Sequence, residues 1–193
     1  MTDEELISGI IAENQLYFKI FVDKYQSLIL NTCFHFIHNK NDAEDITQEV
    51  FIKAYQTIEK FTFQSKISTW LYRIAVNKSL NFIRDNKKRS IIKSIENLFN
   101  QNAKYHLQIE DTKTEEELDS IKTQRLILLR NAINSLSENQ KTAFILHNYE
   151  SIPYKEIATI MHLSIASVEG LIHRAKLNIQ KNILKKIKKG KSL

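Results

Sequence analysis

A chain of 193 residues that contains only Gly9, Gly170, Gly190 and Pro153 from its two strongest turn-forming residue types has few places to reverse direction sharply. Average proteins carry roughly 12% Gly plus Pro. Tight hairpins depend on those residues for positive φ and fixed φ. A turn-rich sandwich or barrel is therefore nearly excluded, and three scattered glycines cannot build a Gly-rich phosphate loop. A mostly helical protein of one or two domains remains. Cys33 is the single cysteine, so neither a disulfide framework nor a cysteine-based zinc finger is available. The opening residues Met1-Thr-Asp-Glu-Glu5 are acidic where a secretory leader is basic, and no apolar run approaches 18 residues. The expectation is a cytoplasmic protein without membrane insertion.

The net charge of +6 conceals an alternation. Residues 1–60 hold 5 basic and 10 acidic side chains, and residues 61–100 hold 8 and 2. Residues 101–120 return to acid with 2 and 6, and residues 121–193 hold 13 and 4. Two basic blocks imply two polyanion-binding surfaces on a chain that also turns an acidic face to something else. Solvated surface charge is the plainer alternative for any one block. Asn, Thr and aromatic residues interleave the basic stretches, which favours nucleic acid over a membrane surface.

Helical periodicity organises the chain. Leu16, Ile20, Phe21, Leu28, Phe34 and Ile37 mark a first long helix over 16–38. Asn41, with Glu44 three residues on, resembles a capped start for a second helix. That helix buries Ala43, Ile46, Val50, Ala54 and Ile58 and exposes Glu44, Asp45, Gln48 and Glu49. Residues 60–66 read as a loop, and a third helix runs from Ile67 to Asn86 on Leu71, Ile74, Ala75 and Phe82. Periodicity fades over 87–120, which reads as a flexible linker. It returns at Ile121–Leu136, and Ser137-Glu-Asn-Gln140 opens a further helix with Ala143, Phe144 and His147 on one side.

Pro153 to Ile160, a turn at Met161-His-Leu-Ser164, and a second helix from Ile165 to about Ile183 have the length and pattern of a helix-turn-helix. Ile157, Leu163, Val168 and Leu171 form its expected shared core, with Ser164 as cap. Ser167, Glu169, Gly170, His173, Arg174 and Lys176 then lie near a major groove. Arg174 and Lys176 suit phosphate or guanine, and Glu169 suits a cytosine amine. An ordinary α-hairpin has the same stripe.

Two strings near the N-terminus are more specific: Asp42-Ala-Glu-Asp-Ile-Thr-Gln-Glu-Val-Phe51 and Thr69-Trp-Leu-Tyr-Arg-Ile-Ala-Val-Asn77, separated by an aromatic loop. With the helix-turn-helix following in that order, they resemble the extracytoplasmic-function (ECF) group of bacterial sigma factors. The resemblance implies an all-α protein: a promoter-melting helical bundle at 1–90, a linker at 91–120 and a helix-turn-helix domain at 121–193. It also implies core RNA polymerase as partner, with Asp45, Gln48 and Glu49 meeting the β′ clamp beside exposed Phe51 and Ile52, and the C-terminal domain touching the β flap. The loop and third helix correspond to the part that melts the minus-ten element. Unstacking bases calls for aromatic and cationic surface, which Phe61, Phe63, Trp70, Arg73, Asn77, Asn81 and Arg84 supply, with Thr69 and Lys88 on the same face. Packing into the core is the competing role for the three aromatics. Ser167, Glu169, Gly170, His173 and Arg174 occupy positions that read the minus-thirty-five duplex. Glu169 replaces a residue that is often basic, and His162 replaces a turn glycine. Many members of this group are held by an anti-sigma factor.

A stand-alone helix-turn-helix regulator leaves the acidic face and aromatic loop unexplained. A recombinase-like enzyme needs a catalytic Ser, Tyr or acidic metal cluster that no segment provides, so neither catalysis nor a cofactor is expected. Cys33, His35 and His38 do not make a metal site, because Cys33 and His38 stand about 140° apart on one helix. The Lys-rich end from Lys181 to Lys191 reads as a fraying, solvated tail.

Overall fold

The computed structural model describes residues 2–99 and 120–190, with side chains described for 2–92 and 124–188. Its described residues form eight α-helices: α1 (Asp3–Ile11), α2 (Gln15–Ile37), α3 (Lys40–Thr57), α4 (Ile67–Phe99), α5 (Ser120–Asn134), α6 (Glu138–Asn148), α7 (Tyr154–Met161) and α8 (Ile165–Gly190). A single 3-10 turn at Ile58–Lys60 follows α3. Among the described residues no helix is long and apolar enough to cross a membrane.

Local chemistry sets the helix starts. Thr2 Oγ1 accepts from the Glu5 amide at 3.2 Å while Glu5 Oε2 accepts from the Thr2 amide at 2.8 Å, closing a capping box on α1. Asn14 caps α2. The cap of α3 is Asn39, which accepts from the Asp42 amide at 3.1 Å, two residues before the Asn41 expected to play that part. Both asparagines precede the apolar stripe; Asn39 has extended backbone and Asn41 is already inside the first turn. α4 also runs past its expected end at Asn86, as far as Phe99. Residues 87–99 lack Gly and Pro, and Lys and Arg are good helix formers, so loss of an apolar stripe there does not end the helix. The linker expected at 91–120 lies between residues 100 and 119 outside the described residues.

α1 to α4 share one core. Ile7 and Ile10 of α1, Phe21 and Ile29 of α2, Val50 and Phe51 of α3, and Leu71 and Ala75 of α4 are buried together. Gly9 lets α1 lie this close: a Cβ there would overlap ring carbons of Tyr17. Leu16 and Phe34, counted in the α2 stripe by their spacing, are exposed. In the second half, Ala132 and Ile133 at the end of α5, and Leu136 just after it, pack on Ala175 and Ile179 of α8. The two halves also share a core: Phe36 of α2 and Tyr72 and Val76 of α4 are buried with Ile145, Ile157, Ile160 and Ile172.

Candidate partner and nucleic-acid surfaces

α3 turns Asp45, Gln48 and Glu49 to solvent, because burying Ala43, Ile46, Val50 and Ala54 leaves these positions outward. Glu49 Oε2 accepts from Lys78 Nζ at 2.7 Å, while the adjacent Ile52 is 57% exposed. Phe51 departs from its expected exposure. It is buried against the Phe21 ring at 5.9 Å, since it continues the inward stripe one residue after Val50. Its edge nevertheless reaches an open groove of about 600 Å³ between α2 and α3, lined with Phe18, Val22, Gln48, Ile52 and Tyr55. Acid, amide and apolar groove thus sit side by side, an arrangement suited to a basic helix with apolar anchors.

The loop between α3 and α4 divides its aromatics. Phe61 is buried, with its ring 5.0 Å from Phe63 and 5.4 Å from Trp70. It forms a wall rather than the free stacking surface expected of it, because it packs into the core that α1 to α4 share. Phe63 is 48% exposed and held at φ 57, and Trp70 is half-buried. A left-handed Phe is uncommon, and here it holds an apolar ring toward solvent. Beside it lies a cavity of about 410 Å³, walled by Phe61, Phe63, Ser65, Lys66 and the first residues of α1, Thr2 to Glu4. The α1 residues and Lys66 have no sequence signal linking them to this cavity, since some 60 residues separate its two walls.

On α4, Asn77, Asn81, Arg84 and Lys88 are exposed along the face assigned to them, whereas Thr69 is buried. Arg84 Nη2 donates to Asn81 Oδ1 at 2.8 Å. Arg73 already has a partner inside the protein: its Nη2 donates to the Thr159 carbonyl at 2.9 Å, and its Nε is buried without a hydrogen-bond partner.

In the helix-turn-helix, the Pro153 carbonyl accepts from the amides of Glu156 and Ile157, so Pro153 stands just before α7. His162 takes the left-handed turn at φ 55 and ψ 45, the conformation its glycine-like position demands. Ser164 Oγ accepts from the Ser167 amide at 3.1 Å, capping α8. Ile157 and Val168 are buried and Leu171 is half-buried as expected, but Leu163 is exposed because the left-handed turn points it outward. Ser167, Glu169, His173, Arg174 and Lys176 are exposed on α8. At about 100° per residue, Ser167, Gly170 and Arg174 share one strip and Glu169, His173 and Lys176 the next. The Arg174 guanidinium lies across Gly170, where a Cβ would stand 3.2 Å from Nη1. That strip borders a groove of about 450 Å³ which also takes in Asn139 of α6, a residue without a helix-turn-helix signal of its own. α8 remains helical to Gly190, beyond the fraying expected from Lys181. Among the described residues no group of three His, Cys, Asp or Glu is placed to hold a metal ion.

Comparison with known proteins matches both halves. The Sigma-70 region 2 family covers residues 21–89, and the Sigma-70, region 4 family covers residues 126–179. The chain is 34% identical over 185 residues to the ECF RNA polymerase sigma-E factor of Haemophilus influenzae, covering 95% of this chain and 96% of that one. The fold is shared with CnrH, solved in complex with the cytosolic domain of CnrY, at TM-score 0.65 and 18% identity over 93% of this chain and 95% of that one. It is also shared with the sigma factor RpoE of Bartonella quintana, solved with the anti-sigma factor NepR, at TM-score 0.59 and 23% identity over 87% and 96%. With both sigma-70 regions in order and near-complete coverage by a sigma-E relative, the chain belongs to the ECF sigma factors, which bind core RNA polymerase and direct promoter recognition, melting and initiation.

Proposed function

We propose that this sigma factor divides its work among three surfaces. Asp45 and Gln48 of α3, with Glu49, Ile52 and the apolar groove behind them, dock on the β′ clamp. The loop at 61–66 and the outer face of α4, through Phe63, Trp70, Arg73, Asn77, Asn81 and Arg84, capture the opened minus-ten strand, with buried Phe61 as the wall behind Phe63. The strips of α8 that carry Ser167, Glu169, Gly170, His173, Arg174 and Lys176 read the minus-thirty-five duplex, and the same C-terminal unit meets the β flap. On this reading residues 1–90 and 121–193 are the two functional domains and 91–120 connects them. The protein carries out no catalysis of its own and acts in the cytoplasm, where polymerase and promoter are. An anti-sigma factor is a further expected partner, by analogy with the Bartonella complex.

The observation that carries the reading is the exposed Asp45–Gln48–Ile52 strip beside an open apolar groove, which a stand-alone DNA-binding regulator has no use for. The test is co-elution with sigma-free core RNA polymerase, comparing the wild type with an Asp45→Ala/Gln48→Ala variant. Stoichiometric binding that the variant loses supports the docking surface. Equal binding by both removes these residues from it. Absence of binding by folded wild type favours a stand-alone regulator.

A further inference from the structure

Residues 121–193 hold four acidic side chains beside 13 basic ones: Glu138, Glu150, Glu156 and Glu169. Three of the four are met by a group from the first half of the chain. Glu138 Oε1 stands 3.5 Å from Arg84 Nε, Glu150 Oε1 2.8 Å from His35 Nδ1, and Glu156 Oε1 2.6 Å from Lys66 Nζ. Glu169 differs. Among the described residues its carboxylate has neither an ion pair nor a hydrogen bond. It is exposed on the second turn of α8, between exposed Ser167 and His173, with Arg174 and Lys176 exposed further along the same helix. The opening turns of a recognition helix are the part that reaches base edges.

A carboxylate without a cation partner gains nothing from the DNA backbone, because phosphates repel it and Lys and Arg make the favourable contacts there. Only a base that offers a donor can repay its approach. In the major groove guanine presents N7 and O6, and thymine presents O4; all are acceptors that repel a carboxylate. Adenine presents its N6 amine beside the N7 acceptor. Cytosine presents its N4 amine with no acceptor on the same base. The order is therefore cytosine first, adenine behind it, and guanine and thymine last. We infer that Glu169 fixes one base of the duplex element as cytosine on the strand that α8 contacts, accepting a hydrogen bond from N4 and rejecting guanine by repulsion. The inference rests on the assignment of α8 as the duplex-reading helix. Discrimination built on repulsion of the wrong base adds to that gained from the right one, and a good contact of this kind separates bases by roughly 5- to 150-fold.

The test is selection of duplex DNA, from a pool randomised in sequence, by holoenzyme assembled from the full chain and core RNA polymerase. Wild type, Glu169→Arg and Glu169→Gln are compared; Arg and Gln are helix formers as good as Glu at an exposed site, so α8 is kept. Wild type should enrich cytosine at one position of its motif. Glu169→Arg should turn that position to guanine, whose O6 and N7 suit a guanidinium, and Glu169→Gln to adenine, whose N6 and N7 suit an amide. The other positions should stay as they are. On two duplexes that differ only in that pair, wild type should bind the cytosine form roughly 5- to 150-fold more tightly than the guanine form, and Glu169→Arg should reverse the order. The same preferred base in all three proteins overturns the inference, as does a wild-type base other than cytosine at the position that moves. A uniform gain in affinity on Glu169→Gln, with no change of base, also overturns it, since Glu169 then acts only through repulsion from phosphates. Arg174→Ala separates the two possible failures. If it alters the motif while the Glu169 variants do not, α8 reads DNA and the Glu169 inference alone falls. If neither alters the motif, the assignment of α8 falls with it.

Discussion

Lys141 Nζ donates to the Phe36 carbonyl at 2.9 Å and to Asn134 Oδ1 at 2.8 Å, so a buried ammonium is held by two neutral acceptors at the junction of the two halves. Burial, with Arg130 adding like-charge repulsion, pushes the Lys141 amine down from 10.5 to about 8. Between those values the unfolded chain keeps a proton that the folded chain has released. Stability should therefore rise with pH through that window, and the charged form pays its full desolvation cost below about 8. Urea unfolding at pH 8 and pH 10, for wild type and Lys141→Met, isolates the effect. The wild type should gain about 2 kcal/mol relative to the variant at the higher pH. A difference that does not change with pH would mean that the amine is not desolvated.

His38 closes α2 in the left-handed conformation at φ 61, with Nε2 buried and without a hydrogen-bond partner. Burial first, then Arg130, Lys141 and His35, depress it from 6.5 to about 4. The sign is the familiar acid one: its contribution is present above about 6.5 and is lost as pH falls toward 4. Wild type should lose about 1–2 kcal/mol from this residue between pH 7 and pH 5. Asn tolerates the same backbone and does not titrate, so thermal unfolding of His38→Asn should show a correspondingly flatter acid limb.

Gly9→Ala should destabilise the N-terminal core by about 1–3 kcal/mol, since the new methyl overlaps the Tyr17 ring and α1 must shift. The diagnostic is coupling. Adding Tyr17→Ala removes the clash, so the double variant should lose less than the two single losses combined. Strict additivity in denaturant unfolding would place the cause elsewhere.

What could be read from the residues depended on whether the information was local. The scarcity of Gly and Pro and the 3.6-residue stripes led directly to helices. His162 in the glycine-like turn and Ser164 as the α8 cap were likewise visible, because backbone conformation and a side chain three residues away decide both. Failures came where a second element decides. Phe51 and Ile52 are adjacent on α3 and both apolar, and only the position of α2 buries one and exposes the other. Phe61, buried in the core shared by α1 to α4, follows the same logic. Arg73 has the charge and spacing of a DNA contact, and nothing near it in sequence indicates that Thr159, 86 residues later, holds it. The cavity beside Phe63 was hidden for the same reason, because part of its wall comes from Thr2, Asp3 and Glu4 at the start of α1.

Arg174 offers the sharpest separation of the two DNA surfaces. Its guanidinium lies over Gly170 on the strip that carries Ser167, bordering the groove with Asn139. From there an Arg reaches guanine or phosphate at the edge of the major groove, a contact of about 1–3 kcal/mol. Arg174→Ala should therefore weaken binding of holoenzyme to a duplex minus-thirty-five element by roughly 5- to 150-fold. Gly170→Ala, which leaves the charge and displaces the guanidinium, should produce a smaller loss and shift the preferred base at one position. Quenching of Trp70 by single-stranded DNA should stay unchanged in both variants, because α8 takes no part in that surface. If Arg174→Ala reduced Trp70 quenching as much as duplex binding, the two halves would not be reading DNA independently, and the division of labour between α4 and α8 would have to be abandoned.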